Sequence, residues 1–299
     1  MRRREFLVRS AALAAGAGTL AGLPGCSAGS GEAADDTVDP FGISLAQWSL
    51  HRTIFAGDLD PLDFPGAARD RYGLGAVEYV NQFFTDRARD QAWLGRLRRG
   101  AEAAGVRSLL IMVDGEGALG DPDPAARAAA VDNHRQWLDA ASSLGCHSIR
   151  VNAQSSGSRE EQARLAADGL RRVCEAAEPH ELNVIVENHG GLSSDGAWLA
   201  GVIEAADHPL AGTLPDFGNF RISGEPEEWY DRYRGVGELM PYAEAVSAKS
   251  HAFDDDGRET ETDYWRMIRI VLDAGYRGYI GIEYEGDGLS EPDGIIAPR

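Results

Sequence analysis

From Phe41 onward, short apolar runs alternate with longer segments whose apolar residues recur every three to four positions. The runs predict strands at Gly42–Ser49, Ala76–Asn81, Ser108–Val113, Ser148–Asn152, Asn183–Glu187, Gly212–Asp216, Ala245–Ser250 and Tyr279–Tyr284. Between them the pattern predicts helices over Leu62–Tyr72, Ala88–Ala104, Pro124–Leu144, Arg159–Ala177, Ser194–Ala206, Glu227–Tyr242 and Thr260–Ala274. Gly73, Gly105, Gly145 and Gly275 stand where helices hand over to strands, the place of a left-handed cap. Strands alternating with helices in this way predict an α/β fold, a parallel (β/α)8 TIM barrel. A doubly wound open sheet competes with it, but no Gly-rich phosphate loop follows the first strand. Beyond Glu283 the chain carries Gly288, Pro292, Gly294 and Pro298, which predicts a barrel lacking a full eighth helix.

Parity along the strands sorts the polar residues. In Ser148-Ile-Arg150-Val-Asn152 the polar side chains share one face, and Ile149 and Val151 share the other. The same alternation groups Glu187 with His189, and Ser247 with Lys249 and His251; Gly281 leaves room beside Glu283. Several strands thus end in acids: Glu187 in Val184-Ile-Val-Glu-Asn-His-Gly-Gly191, Asp216 in Thr213-Leu-Pro-Asp-Phe-Gly-Asn219, and Glu283 with Glu285 in Gly278-Tyr-Ile-Gly-Ile-Glu-Tyr-Glu-Gly286. Carboxylates converging at buried strand ends repel one another unless cations or hydrogen bonds compensate them. A divalent metal is the economical compensation. The plainer alternatives are a salt-bridge network with Arg150 and Lys249, and a turn-capping role for Asp216.

These motifs, in this order, resemble the xylose-isomerase-like TIM-barrel superfamily of sugar (phosphate) isomerases and epimerases. The resemblance spans roughly residues 42 to 286. It implies one divalent cation, Mn, Mg, Co or Zn, held by strand-end residues, with Glu187, Asp216 and Glu283 in three of the ligand positions. Ser247 stands where the family's histidine is expected, so His251, three carboxylates with water, or no metal at all remain open for the fourth position. The resemblance also implies the chemistry, in which a cation polarises a carbonyl and Glu187 and Glu283 exchange a proton with the neighbouring carbon. Lys249 is expected to stabilise the resulting oxyanion. Substrate contacts are expected from Glu78, Arg150, His189, Asn219, Trp48 and His51; Asn219 replaces a histidine found in some epimerases. His134, in mid-helix, reads as peripheral.

The expected activity is a metal-dependent sugar isomerase or epimerase. A keto-glycoside lyase or hydrolase on the same barrel, and a non-catalytic sugar-binding lipoprotein, are the alternatives. An endonuclease reading is weakened by the net charge of −19, which also argues against a nucleic-acid partner. The expected partner is a small sugar or keto-sugar, and a homo-oligomer is compatible with the sequence.

The N-terminal residues carry a different kind of signal. Arg3-Arg4 with Phe6-Leu7 reads as a twin-arginine leader over 1–25, whose Ala/Gly/Leu-rich stretch from Ala11 to Leu23 is too short and Gly-rich for a membrane span. Leu23-Pro-Gly-Cys26 resembles a lipobox. Residues 26–40 then form a small, polar, acidic tether before the catalytic domain at 41–299. The expectation is export to the periplasm, with membrane attachment only through a lipid on Cys26. Cys146 and Cys174 read as two buried thiols, with a disulfide as the alternative. Replacing Arg3 and Arg4 by lysine is expected to retain the protein in the cytoplasm; unchanged export on cell fractionation rules this route out.

Overall fold

The computed structural model describes residues 40–298; the twin-arginine pair, the Leu23–Cys26 box and the tether up to residue 39 lie outside them. The strands are β1 (Gly42–Ala46), β2 (Ala76–Val80), β3 (Arg107–Met112), β4 (Ser148–Val151), β5 (Asn183–Glu187), β6 (Ala211–Leu214), β7 (Arg221–Gly224), β8 (Glu227–Trp229), β9 (Val246–Ser250) and β10 (Tyr279–Tyr284). The helices are α1 (His51–Phe55), α2 (Phe64–Tyr72), α3 (Gln91–Ala103), α4 (Pro124–Leu144), α5 (Arg159–Ala177), α6 (Gly196–Ala206), α7 (Arg232–Leu239), α8 (Tyr264–Asp273) and α9 (Glu291–Ile296).

Eight strands form one parallel sheet in the order β6-β5-β4-β3-β2-β1-β10-β9. Its two edges meet. Parallel bridges join Thr213 to Ala243 and Asp216 to Ser247, and Ser247 N donates to Pro215 O at 3.0 Å. The result is the (β/α)8 barrel that the alternation predicts.

Two apolar layers explain why the parity is strict. Outside the sheet, Ile149, Val151, Val184 and Val186 pack under helices with Trp137, Leu138, Leu170 and Leu199. Phe84, Trp93 and Trp137 stack or meet edge-on within 5.5 Å, and burial of each such ring contributes roughly 1.5–3 kcal/mol. Inside the barrel a smaller layer of Ala46, Val80, Leu110, Met112, Ile185, Leu214 and Ala245 faces the axis. Helix ends follow local chemistry. Asp90, Asp123, Ser158, Asp195, Asp231 and Asp263 cap the N-termini of α3, α4, α5, α6, α7 and α8 with side-chain oxygens. Gly73 and Gly145 close α2 and α4 at φ 66° and 76°. Cys146 and Cys174 are free and buried, as thiols.

The predicted helix over Glu227–Tyr242 is corrected. Its first residues pair as β8 with β7 in an antiparallel hairpin, and the helix begins only after Asp231, whose carboxylate accepts from Tyr233 N and Arg234 N. The eighth helix is the six-residue α9. It compensates for its length with Ile295, buried in the core, and with a buried carboxylate. Glu291, only 4% exposed, accepts from Arg52 N at 2.7 Å, Thr53 N at 3.1 Å and Thr53 Oγ1 at 2.5 Å. The chain after β10 is thereby tied to α1, next to the barrel mouth. Among the described residues no helix is long and apolar enough to cross a membrane.

Glu291→Ala strands those donors, so it is expected to cost about 2–3 kcal/mol in urea unfolding and to speed proteolysis around residues 51–57. An unchanged midpoint and cleavage rate would remove Glu291 from this role.

Candidate active site

At the C-terminal end of the barrel, Glu187, Asp216 and Glu283 turn inward. One carboxylate oxygen from each lies within 4.8 Å of the others, and all three residues are buried. Each is placed by its own strand end. Glu187 closes β5, and the next residue, Asn188, links β5 to the turn after β6: its Oδ1 accepts from Asp216 N at 2.7 Å, and its Nδ2 donates to Asp216 O and Asn219 O. Asp216 Oδ1 accepts from Gly218 N and Asn219 N at 2.8 Å, so the turn-capping role is real. Its other oxygen points to the cluster and lies 2.7 Å from Ser247 Oγ. Glu283 sits beside Lys249 in the β10–β9 register, and its Oε2 is 3.0 Å from the same hydroxyl.

Two buried cations face these acids. Lys249 Nζ lies 3.1 Å from both Glu283 Oε1 and Glu285 Oε2, and Arg150 Nε lies 2.8 Å from Glu187 Oε2. The Arg150–Glu187 approach is ionic and not an aligned hydrogen bond, because neither atom has a partner of good geometry. Arg150 Nη1 also donates to Asp114 Oδ1 at 2.6 Å, which Asn152 Nδ2 shares at 2.7 Å. The salt-bridge network anticipated as the plainer reading therefore exists. It does not balance the charge. Glu78, Glu187, Asp216 and Glu283 are buried, and Asp114 and Glu285 share the same two cations, so six carboxylates meet only Arg150 and Lys249.

The imbalance appears in the proton affinities. Burial is the main force that pushes Asp216 up to about 8; Lys249 opposes it, and Glu187 and Glu283 add to it. Burial likewise raises Glu283 above its ordinary range against the pull of Lys249. Lys249 loses charge stability through burial, but Glu283, Asp216, Glu285 and Glu187 together hold it well above its usual value, as a fixed cation. Glu285 goes the other way: burial raises it, while Lys249, His251 and a hydrogen bond from Trp48 keep it low. The Ser247 hydroxyl has one proton for two carboxylates, so its two short contacts need a further proton on Asp216 or Glu283.

This donor set fits a divalent cation. The oxygens are hard, they converge, the acids outnumber the cations, and Glu187 Oε2 lacks an aligned donor. Glu187, Asp216 and Glu283 would hold the ion. His251 is not brought into the cluster; its ring stands 3.8 Å from Glu285 and 3.7 Å from Glu261. The reason is position, since His251 follows the end of β9 and its half-exposed ring is held by acids at the rim.

Of the expected substrate contacts, Glu78 is fully buried beneath the cluster. Ser44 Oγ donates to its Oε1 at 2.6 Å, its Oε2 has no partner, and an added Cβ on Gly281 would come within 2.6 Å of its carboxylate. Asn219 Nδ2 donates to Glu187 Oε1 at 3.0 Å. His189 is exposed; Asp114 beneath the rim is raised by burial but held low by Arg150 and Asn152. Trp48 and His51 stack at 4.9 Å on the loop after β1. His134 is buried in α4 against Ala130 O, away from the site. Sequence reasoning gave no role to Asp114, Glu285 or Asn188, nor to Ser247 as a bridge between carboxylates. The strand-end rule reaches Asp114, which follows the apolar Leu109–Val113, and parity reaches Glu285. Two surface grooves of about 290 and 370 Å³ lie elsewhere and contain none of these acids.

Residues 67–298 match the profile of the family described as xylose isomerase-like TIM barrel. The chain belongs to this family. Solved structures of similar fold include a D-psicose 3-epimerase from Clostridium cellulolyticum H10 with D-tagatose, at TM-score 0.63 and 12% identity over 87% of this chain and 90% of that one. A xylose isomerase-like TIM barrel protein from Mycobacterium smegmatis in complex with magnesium gives 0.62 and 15% over 86% and 94%. The IOLI protein with a zinc atom gives 0.65 and 10% over 86% and 95%. Two shorter likenesses lie in sequence. The C-glycoside deglycosidase alpha subunit of Arthrobacter globiformis is 36% identical over 66 residues, 22% of this chain and 17% of that protein. The 3'-dehydrocarminate deglycosidase alpha subunit of a Microbacterium species is 34% identical over 61 residues, 20% and 16%. The matched stretches span under a fifth of each relative's length.

The buried acids make the metal-free protein pH-sensitive. Glu78 has an ordinary value of 4.5 and is pushed up to about 8 by burial, despite its bond from Ser44. Between those values the folded chain keeps a proton that the unfolded chain has released, so stability falls as pH rises through that window. Calorimetry after chelation is expected to show a falling Tm from about pH 5 to pH 8, and Glu78→Gln is expected to flatten the slope. A flat profile in the wild-type chain would contradict this placement of Glu78.

Proposed function

We propose that this chain is a divalent-metal-dependent sugar isomerase or epimerase. The convergence of Glu187, Asp216 and Glu283 within 4.8 Å in the barrel mouth carries this reading. A bound divalent cation supplies polarisation of a substrate carbonyl, which acidifies the adjacent C–H. The chain supplies the rest. Glu187 and Glu283, from strands on different sides of the cluster, remove and return the proton. Arg150 and Asn219 hold Glu187 in position from its two oxygens. Lys249, a buried and permanently charged ammonium, stabilises the oxyanion that proton removal creates. Asp114 and Glu285, both kept ionised, favour a neutral substrate over a phosphorylated one.

A second reading is a lyase or hydrolase acting on a keto-glycoside with the same acid and base. The local likeness to two deglycosidase alpha subunits favours it. Export through the residue 1–25 leader, with a lipid on Cys26 and a tether to residue 40, completes the proposal and places the sugar outside the cytoplasm.

Solvent deuterium exchange into a panel of sugars and keto-sugars tests the chemistry. Glu187→Gln and Glu283→Gln are each expected to lower exchange by about 10³-fold. Mn²⁺ titration of the chelated protein should show Asp216→Asn weakening binding by about 10²-fold and His251→Ala by less than about threefold. Lys249→Met should retain the metal and lower turnover by about 10²-fold. A chelated protein that takes up no divalent ion, or a Lys249→Met variant with full turnover, would overturn this assignment.

A further inference from the structure

One side of the barrel mouth carries aromatic rings. Trp48 follows β1 and Phe83 follows β2, so both sit on the C-terminal rim. Both pack onto the inner apolar layer of Ala46, Val80 and Met112. Phe55, from α1, meets Phe83 at a centroid distance of 5.0 Å and Trp48 edge-on at 6.2 Å; Trp48 and Phe83 are 5.8 Å apart. Phe55 is 60% exposed, so much of its ring is open to an occupant. The shelf is fixed from below, because Glu291 of α9 holds the backbone of Arg52 and Thr53 beside it. It also adjoins the acidic cluster: Trp48 helps keep Glu285 low, and Glu285 shares Lys249 with Glu283.

We propose that the Trp48–Phe55–Phe83 shelf is a second subsite that takes the aromatic group of an aryl glycoside whose sugar occupies the carboxylate site. The inference rests on reading that cluster as a sugar site. Three rings offer one aromatic system a stacking and edge-on surface. They are too small for a stable protein partner, which takes roughly 800 Å² per side. The charged groups beside the shelf are engaged with one another, Asp287 and Glu291 with Arg52 and Glu285 with Lys249, which favours a neutral ring as the occupant. A glycoside carries its ring next to the sugar, through the anomeric oxygen, which suits a shelf adjoining Glu285 and, through Lys249, a sugar beside Glu283.

The test is calorimetric titration of the purified protein with paired 4-nitrophenyl and methyl glycosides of glucose, galactose and xylose, and with 4-nitrophenol alone. At least one aryl glycoside is expected to bind about tenfold or more tightly than its methyl partner. Phe55→Ala, at an exposed position, and Phe83→Ala should each reduce that ratio to under about threefold, while Trp229→Ala on the distant hairpin leaves it unchanged. Equal affinities within every pair would overturn the shelf and leave the sugar site standing. Binding of 4-nitrophenol, lost in Phe55→Ala, without binding of any glycoside would keep the shelf and remove the sugar reading. No binding of any probe, or an oligomer that Phe55→Ala converts to monomer with no change in ratio, overturns the subsite.

Discussion

Mutual repulsion among buried carboxylates is the constraint around which this barrel is organised. Glu187, Asp216 and Glu283 lie in a dry interior where each negative charge raises the cost of the next. Arg150 and Lys249 offset part of it, the Ser247 hydroxyl spans two of the acids, and backbone donors at Gly218 and Asn219 take one oxygen of Asp216. The remainder is met by protons, on Glu78 and on the Asp216–Glu283 pair, or by a cation. A site whose charge is left incomplete in this way is suited to exchange protons with a substrate. It is also the part of the molecule that gains most from binding a metal, since each added positive charge relieves several repulsions at once.

The same cluster explains the rigid scaffolding around it. Asn188 makes no contact with the acids' charged ends, yet it fixes the turn that aims Asp216 and Asn219. Gly281 is small because Glu78 needs the space on the neighbouring face. Lys249 and Glu283 meet because parallel register puts them side by side on adjacent strands. The mouth is consequently two-sided, charged around β4, β5, β9 and β10 and apolar around β1 and β2. The short α9 holds the apolar side in place through Glu291 and packs on the core through Ile295.

Much of this was legible in the chain. Strand-end acids, inward parity at Arg150, Lys249 and Glu283, and the weak eighth helix all appear as local patterns of period two or as helix breakers. The hairpin at β7–β8 was not legible, because Glu227-Glu-Trp-Tyr has the composition of a helix start. Only Asp231, capping α7 four residues later, marks the true boundary. Asp114 and Glu285 were within reach of the rules already applied to their neighbours. The shelf was legible only at Trp48, because Phe55 at the end of α1 and Phe83 after β2 lie in separate segments with no pattern that brings them to it.

What the sequence by itself determined is which residues point inward, because alternation along a strand is a property of covalent geometry. It therefore determined the barrel and the identity of the acids. Only the tertiary structure decided which of them meet and who neutralises them. The turn after β6 sends one oxygen of Asp216 to backbone donors and the other to Ser247, and the position of His251 beyond the end of β9 leaves its ring with Glu285 and Glu261. Those outcomes depend on distances between segments far apart in the chain, where a shift of a few ångströms separates an ion pair from a ligand, and no local pattern encodes such distances.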